Sequence, residues 1–392
     1  MNPYAQLAHT HQLLNDLLLS IPEADAYRGY AADAPPLAWL FALANYRETQ
    51  ILREWLQHDE QLTARLRHLF THATPSAEQS AALPPRDHLL NWALELQEEN
   101  LTRLANPKQL PPHPALQEGR LLHHILRHHS QLYEAMLTTL GQRQLASDSS
   151  AYLVTQPLQP SPPNPAMVEV MQGHYRIGAP PDDPAAVDNE LPTQVVQLST
   201  FQIALHPVSN AEYLTFIHDG GYQRRELWGA DHHPTLAAPR HWQRDRHGAW
   251  YGIGLGGPYP LLPSTPVTGI NRDEAEAYAR WIATHDQPFS GAVLQHEYQW
   301  EAAARLRLLR DTAIAWEWCA NPFHPYTDFS PFPDPCNHHA PFDQGLATLR
   351  GGSLHSQPPL KRLSYRHLAP PQQRHPFAGI RLVYPPAGSG GK

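Results

Sequence analysis

Two histidines with helical spacing are the residues of this chain best suited to bind a metal. His124 and His128 lie four residues apart in a segment whose leucine pattern predicts a helix. That spacing puts both imidazoles on one helix face, one turn apart, where they can coordinate the same ion. Leu121, Ile125 and Leu132 share that face. The sequence therefore predicts an inward-pointing pair that binds a metal.

The histidine content of the chain leaves a second interpretation of this pair open. The chain has 26 histidines, and His123 and His129 flank the pair, so such a spacing also arises by chance. On this interpretation the two side chains point inward or into solvent on a histidine-rich helix and bind no metal. Two histidines alone would bind a metal weakly, because metal sites in proteins usually have three or four protein ligands. His9 or His11 on the first predicted helix could supply a third ligand, but the spacing does not decide this.

The histidine pair falls in an N-terminal region, residues 1–145, that has the pattern of a helical bundle. Leucines recur near helical spacing in four stretches, which begin at Leu7, Leu37, Leu89 and Leu116. Four antiparallel helices would bury these faces together. Residues 146–165, which are rich in proline, are predicted to form an extended linker.

The region from 166 to 385 has a different pattern. Short β-like runs alternate there with a few helical ones, mainly 209–218, 271–285 and 296–308. This is typical of an α+β domain with a surface built from loops. The glycine-rich residues 386–392 are predicted to form a flexible tail. The predicted fold class is α+β, with a four-helix bundle followed by an α+β domain.

Composition excludes several classes of protein. With 392 residues, 41% hydrophobic and 17% charged, the chain is expected to be globular, with two domains. A formal charge of −8 gives no basic surface for nucleic acid. No apolar run approaches the roughly 20 residues that span a bilayer, and no signal peptide is visible. Two cysteines make no disulfide framework. These features predict a cytoplasmic protein, and they do not predict its oligomeric state.

Short motifs in the C-terminal half occur in a characteristic order. They include Trp316-Glu317-Trp318, Leu349-Arg350-Gly351-Gly352-Ser353, Tyr365-Arg366 and Phe377-Ala378-Gly379-Ile380-Arg381-Leu382. Upstream lie Met171-Gln172-Gly173, Asp188-Asn189-Glu190-Leu191-Pro192, Pro207-Val208-Ser209-Asn210, Tyr278-Ala279-Arg280-Trp281 and Glu297-Tyr298-Gln299-Trp300-Glu301. This order resembles the formylglycine-generating-enzyme-like fold. Formylglycine generators share that fold with the EgtB/PvdO non-heme iron family, which includes the EgtB sulfoxide synthases of ergothioneine biosynthesis.

The N-terminal bundle resembles the DinB-like domain of EgtB proteins, with Leu83-Pro84-Pro85-Arg86 matching the start of a helix. EgtB proteins carry His-x-x-x-His-x-Glu on a later helix, which matches His124 and His128, with Ser130 at the Glu position. The third iron histidine of the family falls at Leu43. The resemblance therefore implies an Fe(II) cofactor with O2 as co-substrate, and weak iron binding because one ligand is absent.

The resemblance also bears on whether a cysteine takes part in catalysis. Formylglycine generators use a cysteine pair shortly after the Gly-Gly-Ser motif, and no cysteine follows Ser353 here. Copper-thiolate chemistry is therefore not expected. Cys336 stands near the tyrosine that acts as an acid in sulfoxide synthases, which implies a catalytic thiol. The alternative is that Cys336 is a small buried hydrophobic residue.

The resemblance places Asn337, His367, Gln373 and Arg374 on the substrate side. His367 stands where the family has Asn, and Arg374 could grip a substrate carboxylate through two hydrogen bonds. Alternatively, Arg374 is a surface residue of a turn. One EgtB subtype has an Asp and an Arg where this chain has Ala369 and Gln373. These replacements disfavour γ-glutamylcysteine as the donor.

Three functions follow from these patterns. The first is an iron- and O2-dependent synthase that forms a C–S or C–Se bond on a histidine-derived imidazole. Its small-molecule partners would be a histidine betaine, such as hercynine, and a thiol or selenosugar, as in selenoneine synthase. The second is a diverged, metal-free paralogue that binds a small molecule or a protein. A C-type-lectin-like display domain is least favoured, since a helical bundle precedes the fold.

Overall fold

A computed structural model of the chain describes residues 2–31, 34–72, 74–229, 236–333, 335–336 and 342–386. The chain divides into two compact units. The first unit comprises Met1–Ser147 with two later segments, Asp182–Val187 and Pro331–His338; the second comprises Asp148–Pro181, Asp188–Ser330 and His339–Lys392. Both later segments of the first unit fall within the stretch predicted as the α+β domain. Most of the tail predicted at 386–392 lies outside the described residues.

The described part of the first unit is helical. Its α-helices are α1 (Pro3–Leu19), α2 (Glu23–Ala26), α3 (Leu37–Thr49), α4 (Thr63–Leu66), α5 (Ala77–Ala81), α6 (Arg86–Ala105), α7 (Pro114–Gln117) and α8 (Arg120–Leu145). A π-helix, Gln50–Trp55, directly continues α3, and short 3-10 turns lie at Arg67–Phe70 and Pro107–Gln109. No helix in the described part of the whole chain is long and apolar enough to cross a membrane.

The four long helices pack as a bundle, because each has an apolar face to bury. Helix α8 packs against α1 and α3, and α6 packs against the same two helices. The beginnings of these helices follow local sequence rules. Asn2 caps α1 through its side chain, and prolines at positions 36 and 85 precede α3 and α6, where a missing N–H costs nothing. The predicted helical bundle is confirmed, and its DinB-like character stays a prediction.

The second unit is an α+β domain, as predicted for the C-terminal half of the chain. Its strands are β1 (Met167–Val170), β2 (Gly173–Ile177), β3 (Gln194–Leu198), β4 (Phe201–Ala204), β5 (Trp242–Arg244), β6 (Trp250–Gly254), β7 (Gly257–Tyr259), β8 (Val293–Leu294), β9 (Trp316–Pro322), β10 (Ala347–Arg350), β11 (His367–Ala369), β12 (Ala378–Gly379) and β13 (Leu382–Tyr384). Its helices are α9 (Asn210–His218), α10 (Arg272–Ala283) and α11 (Glu297–Arg305), with 3-10 turns at Asp188–Glu190, Arg225–Leu227 and Pro358–Leu360.

In the described part of the chain, these strands form four small sheets. Two four-stranded sheets have the orders β1-β4-β13-β8 and β11-β10-β9-β12, and the others are the hairpin β2-β3 and the meander β5-β6-β7. Within the second sheet, β12 runs parallel to β9, with Gly379 opposite Glu317. A Cβ at Gly379 would lie 2.4 Å from the Val267 carbonyl oxygen. The backbones therefore approach closely at Gly379, where a side chain would not fit.

Each of the three helices predicted in the C-terminal half is present, and each begins with a capping box. In α9 the Ser209 side chain accepts from the Glu212 backbone, while the Glu212 side chain accepts from the Ser209 backbone. Asn271 with Glu274 and His296 with Gln299 do the same for α10 and α11. These reciprocal hydrogen bonds satisfy backbone donors that a helix start leaves free.

Buried arginine–glutamate pairs hold the second unit together. Arg381 donates to both carboxylate oxygens of Glu317 at 2.8 Å, and Arg366 pairs with Glu297 in the same bidentate way. Arg350 lies 2.5 Å from Glu301. All these side chains are fully or almost fully buried. Since the guanidinium of Arg381 also donates to the carbonyls of residues 204, 205 and 310, it fastens separate segments of chain around one charge.

Replacement of Arg381 by Ala should destabilise the second unit strongly. The change leaves the Glu317 carboxylate buried without its main counter-charge, which costs about 3–5 kcal/mol in the free energy of unfolding. Hydrogen exchange of the β9 amides in urea measures this unit by itself. The matched control is Arg224→Ala, because Arg224 pairs with Glu226 at an exposed position, where a salt bridge contributes only about 0–1 kcal/mol. Equal effects of the two changes would contradict the argument.

Candidate metal centre and substrate residues

Three side chains from three helices of the bundle converge on one point of its core. His11 lies on α1, Glu48 on α3 and His129 on α8. The Nε2 atoms of His11 and His129 lie 2.7 and 2.6 Å from the same oxygen, Oε2 of Glu48. Each of the three residues is at most 3% exposed. Their potential ligand atoms all lie within 4.8 Å of one another, so they could hold one metal ion.

Some polar atoms of the triad His11, Glu48 and His129 form no hydrogen bond to the described residues. The Nδ1 atoms of both histidines and the Oε1 atom of Glu48 are buried and have no hydrogen-bond partner among the described residues. The two imidazole rings meet edge to face, with centroids 5.0 Å apart. Unpaired buried polar atoms are uncommon in native proteins and call for an explanation.

The protonation of the triad follows from its surroundings. Burial alone would raise the pKa of Glu48, but the charge of His11 and the hydrogen bonds from His11 and His129 lower it to about 2. Burial lowers the pKa of His129, although its hydrogen bond to Glu48 acts in the opposite direction. The arrangement is therefore an ionised carboxylate held between two imidazoles, which is a donor set that divalent metals accept.

Buried amides lie one helical turn from the triad on α1 and α3. Asn15 and Gln97 exchange two hydrogen bonds, at 3.0 and 3.1 Å, and Gln97 also donates to Asn45 at 2.9 Å. All three are at most 6% exposed. Burying polar groups costs free energy unless they are paired. This paired amide cluster links α1, α3 and α6, and so fixes the helices that carry His11 and Glu48.

The predicted histidines lie beside this centre rather than in it. His124 and His128 are both half-buried, whereas their neighbour His129 is 1% exposed. The Nδ1 atom of His124 accepts a hydrogen bond from Arg127 at 2.8 Å. Enough protein surrounds His128 for desolvation, aided by the charges of His129 and Arg127, to lower its pKa to about 3. Among the neighbouring histidines His123, His124, His128 and His129 of α8, it is His129 that lies in the centre of the core.

A signal for the triad was present in the sequence. His129 follows Ile125 by four residues and Leu126 by three, and both are 1% exposed, so it occupies the centre of the apolar face. His11 lies between Leu7 and Leu14 in the same way on α1, and both leucines are fully buried. Polar residues at the centre of an apolar stripe mark the site more clearly than the four-residue spacing of a histidine pair.

Cys336 belongs to the helical unit. It is 5% exposed and packs in an apolar cluster with residues such as Leu122 and Leu126, against which Phe332 also packs. His124 and Cys336, both predicted site residues, line one cavity in this unit. Its volume is about 10 Å³, room for a single water molecule at most. The structure therefore brings these two residues together without space for a substrate between them.

The predicted substrate arginine is engaged within the second unit. Arg374 donates to both carboxylate oxygens of Glu274, at 2.8 and 2.6 Å, and to the carbonyl of Ala238. Glu274 is fully buried and also accepts from the Tyr222 hydroxyl at 2.6 Å. This pairing directs the bidentate donor face of Arg374 at a protein carboxylate.

The other predicted substrate residues lie on a strand and a turn. His367 begins β11, stacks on Trp316 with ring centroids 4.5 Å apart, and meets His375 edge to face at 5.5 Å. Burial lowers the pKa of His367 to about 4, so the imidazole is neutral at pH 7. Gln373 is half-buried in a turn, where its backbone N–H donates to Pro370. Asn337 lies outside the described residues.

Comparison with known proteins agrees with this architecture. The sulfatase-modifying factor enzyme 1-like domain matches residues 154–312. The hercynine oxygenase of Mycolicibacterium smegmatis is 27% identical over an alignment of 431 residues, which covers 94% of this chain and 95% of that protein. The hercynine oxygenase of Mycobacterium tuberculosis is 29% identical over 252 residues, 52% of this chain and 57% of that protein. The formylglycine-generating enzyme of Thermomonospora curvata is 30% identical over 156 residues, 36% of this chain and 48% of that protein.

The fold and the matched domain define a protein with a formylglycine-generating-enzyme-like domain of the sulfatase-modifying factor kind. The similarity to the Mycolicibacterium smegmatis protein extends beyond that domain, because it covers nearly the whole of both chains. The chain is an EgtB-like protein, and the names of these relatives support an oxidoreductase.

Neither cysteine should react quickly in the native protein. Cys319 is fully buried and burial raises its thiol pKa well above the usual range, while Cys336 lies inside an apolar cluster. In both places the surrounding side chains shield the thiol from a charged disulfide reagent. Thiol titration should detect two cysteines only after unfolding in urea. Rapid labelling of one native thiol that disappears in Cys336→Ser but persists in Cys319→Ser would instead show an accessible Cys336.

Proposed function

We propose that this protein is a non-heme iron, O2-dependent synthase that forms a C–S or C–Se bond on a histidine-derived imidazole such as hercynine. One observation carries the proposal: the match to the Mycolicibacterium smegmatis hercynine oxygenase covers 94% of this chain and 95% of that protein. The match to the Thermomonospora curvata formylglycine-generating enzyme covers only 36% of this chain. A likeness that includes the helical bundle favours the first chemistry over the second.

The metal that this function requires has a fitting donor set in the bundle. Leu43 stands where the resemblance expects an iron histidine, and its side chain cannot bind a metal. His11, Glu48 and His129 offer two imidazole nitrogens and a carboxylate oxygen, the set typical of iron centres that activate O2. Iron bound there would supply the site for O2 and for the sulfur or selenium donor. The protein's part is to hold the carboxylate ionised and to keep both imidazoles converging on it, with their Nε2 atoms 2.7 and 2.6 Å from the same carboxylate oxygen in the metal-free arrangement.

The residues around the predicted donor site favour a small donor. Ala369 is 2% exposed and offers no charge, and Gln373 is a neutral amide. Arg374 is paired with Glu274. A dicarboxylate donor such as γ-glutamylcysteine would therefore leave a carboxylate without a cationic partner, which is costly on burial. These features support cysteine, or a selenosugar as in selenoneine synthases, as the donor.

A second candidate function is that of a metal-free paralogue that binds a small molecule or a protein. The replacement of the expected iron histidine by Leu43 and of the motif glutamate by Ser130 favours it. The packing of Cys336 against the bundle, with about 10 Å³ of cavity beside it, also favours it.

An activity assay tests the proposed function. Iron-loaded protein is incubated with O2, hercynine or free histidine as acceptor, and cysteine, γ-glutamylcysteine or a selenosugar as donor. We expect a coupled product, identified by its mass, with cysteine or the selenosugar, at a rate at least about tenfold above that with γ-glutamylcysteine; tenfold corresponds to 1.4 kcal/mol in transition-state binding. Product with γ-glutamylcysteine alone would contradict the donor argument. No product with any donor from protein that contains iron would contradict the proposed function.

A further inference from the structure

We propose that the resident metal of this protein is held by His11, Glu48 and His129, and not by the His124–His128 pair to which the family resemblance points. The ligand set follows from the geometry of the bundle core. Only the identification of the metal as iron rests on the proposed function. The proposal assigns a centre to α1, α3 and α8, with a carboxylate in place of one imidazole of the expected set.

The first argument for this centre is charge. Among the residues that the structure describes, five other glutamates are 0% exposed, and each has an arginine partner: Glu190 with Arg362, Glu274 with Arg374, Glu297 with Arg366, Glu301 with Arg350 and Glu317 with Arg381. Glu48 is equally buried, but its ion-pair partners among the described residues are two imidazoles. A buried carboxylate needs compensating charge. A divalent cation between the three side chains would supply it.

The second argument is the convergence of the donor atoms. Both Nε2 atoms lie near one carboxylate oxygen, at 2.7 and 2.6 Å, although they come from two different helices, α1 and α8. Metal bonds to imidazole nitrogen and carboxylate oxygen are about 2.0–2.2 Å long, so an ion among these atoms requires only a small separation of the side chains. Coordination through Nε2 would place the proton of each neutral imidazole on Nδ1, the nitrogen that has no hydrogen-bond partner among the described residues.

The third argument is the poorer fit of the alternative pair. The His124 Nδ1 atom is occupied by the guanidinium of Arg127 at 2.8 Å, and a positive charge beside a histidine opposes cation binding. His128 is half-buried, whereas His129 is 1% exposed. Two histidines and one carboxylate, with further positions open, favour Fe(II) and also suit Zn(II).

A metal-free clamp is the competing explanation of the triad. On that view, the two hydrogen bonds to Glu48 join α1, α3 and α8, and no ion ever enters. The two explanations differ in a direct measurement. The full-length protein is stripped with a chelator and titrated with Fe(II) without oxygen, and with Zn(II) separately. Bound metal is counted by mass spectrometry, and the shift in the thermal unfolding midpoint is recorded in parallel.

We expect about one metal ion per chain and a higher unfolding midpoint, in place of the weak binding expected from two histidines. Glu48→Gln and His129→Gln should each weaken Fe(II) binding at least about tenfold, because each removes one of three ligands. Two matched controls should bind as the unchanged protein does. His9→Gln alters an exposed histidine of the same helix as His11, and His128→Ala alters the direct neighbour of His129.

A measurement without substitutions covers the case in which the core variants fail to fold. Fe(II) with ascorbate and O2 oxidises side chains next to the bound iron, and peptide mass spectrometry locates them. Oxidation confined to His11 and His129 would support the proposal, and oxidation of His124 and His128 would overturn it. Folded protein that binds neither metal would also overturn it, in favour of the clamp.

The outcomes for the metal centre and for the reaction are distinguishable. Metal bound by the triad without product in any assay contradicts the proposed function and leaves the centre intact. Product formation that survives Glu48→Gln and is lost in His128→Ala contradicts the centre and leaves the function intact.

Discussion

The cost of burying a carboxylate governs both units of this protein. An ionised group away from water is tolerated only with a charge or several hydrogen bonds beside it. In the second unit, arginines meet this requirement, and the Arg381–Glu317 pair fastens strand β9 to separate segments of chain. In the first unit, Glu48 meets it through two imidazoles. The same constraint therefore yields a framework in one unit and a candidate metal centre in the other.

This difference also explains why arginines of the second unit are poor guides to substrate recognition. An arginine whose guanidinium already forms two hydrogen bonds to a buried carboxylate has little capacity left for a ligand. Arg374 is such a residue, since it is bidentate to Glu274. Its release toward a substrate would leave Glu274 buried with the Tyr222 hydroxyl as its remaining side-chain hydrogen-bond partner in the described part of the chain. The pairing thus gives Arg374 a structural role, whatever further role it has.

Much of the fold could be predicted from the sequence, because local rules and periodicity decide it. The capping boxes at Ser209, Asn271 and His296 start helices where the sequence predicted them. The centre of the bundle was harder to predict. A four-residue spacing selects His124 with His128, whereas burial selects His129, only one position away. The partners Glu48 and His11 come from other helices, so their convergence depends on packing that no single-helix pattern contains.

The helical unit is not encoded by one continuous stretch of the gene. Residues 182–187 and 331–338 group with it, and Cys336 and Phe332 pack against its leucines. During synthesis on the ribosome, the helices are made first, but their apolar surface stays incomplete until residue 336 has emerged. A fragment that ends at residue 147 would expose that surface to water and would lack the contacts of Cys336. Separate expression of the two halves is thus unsuited to this chain, and the helical half reaches its full set of contacts only when nearly the whole protein has been translated.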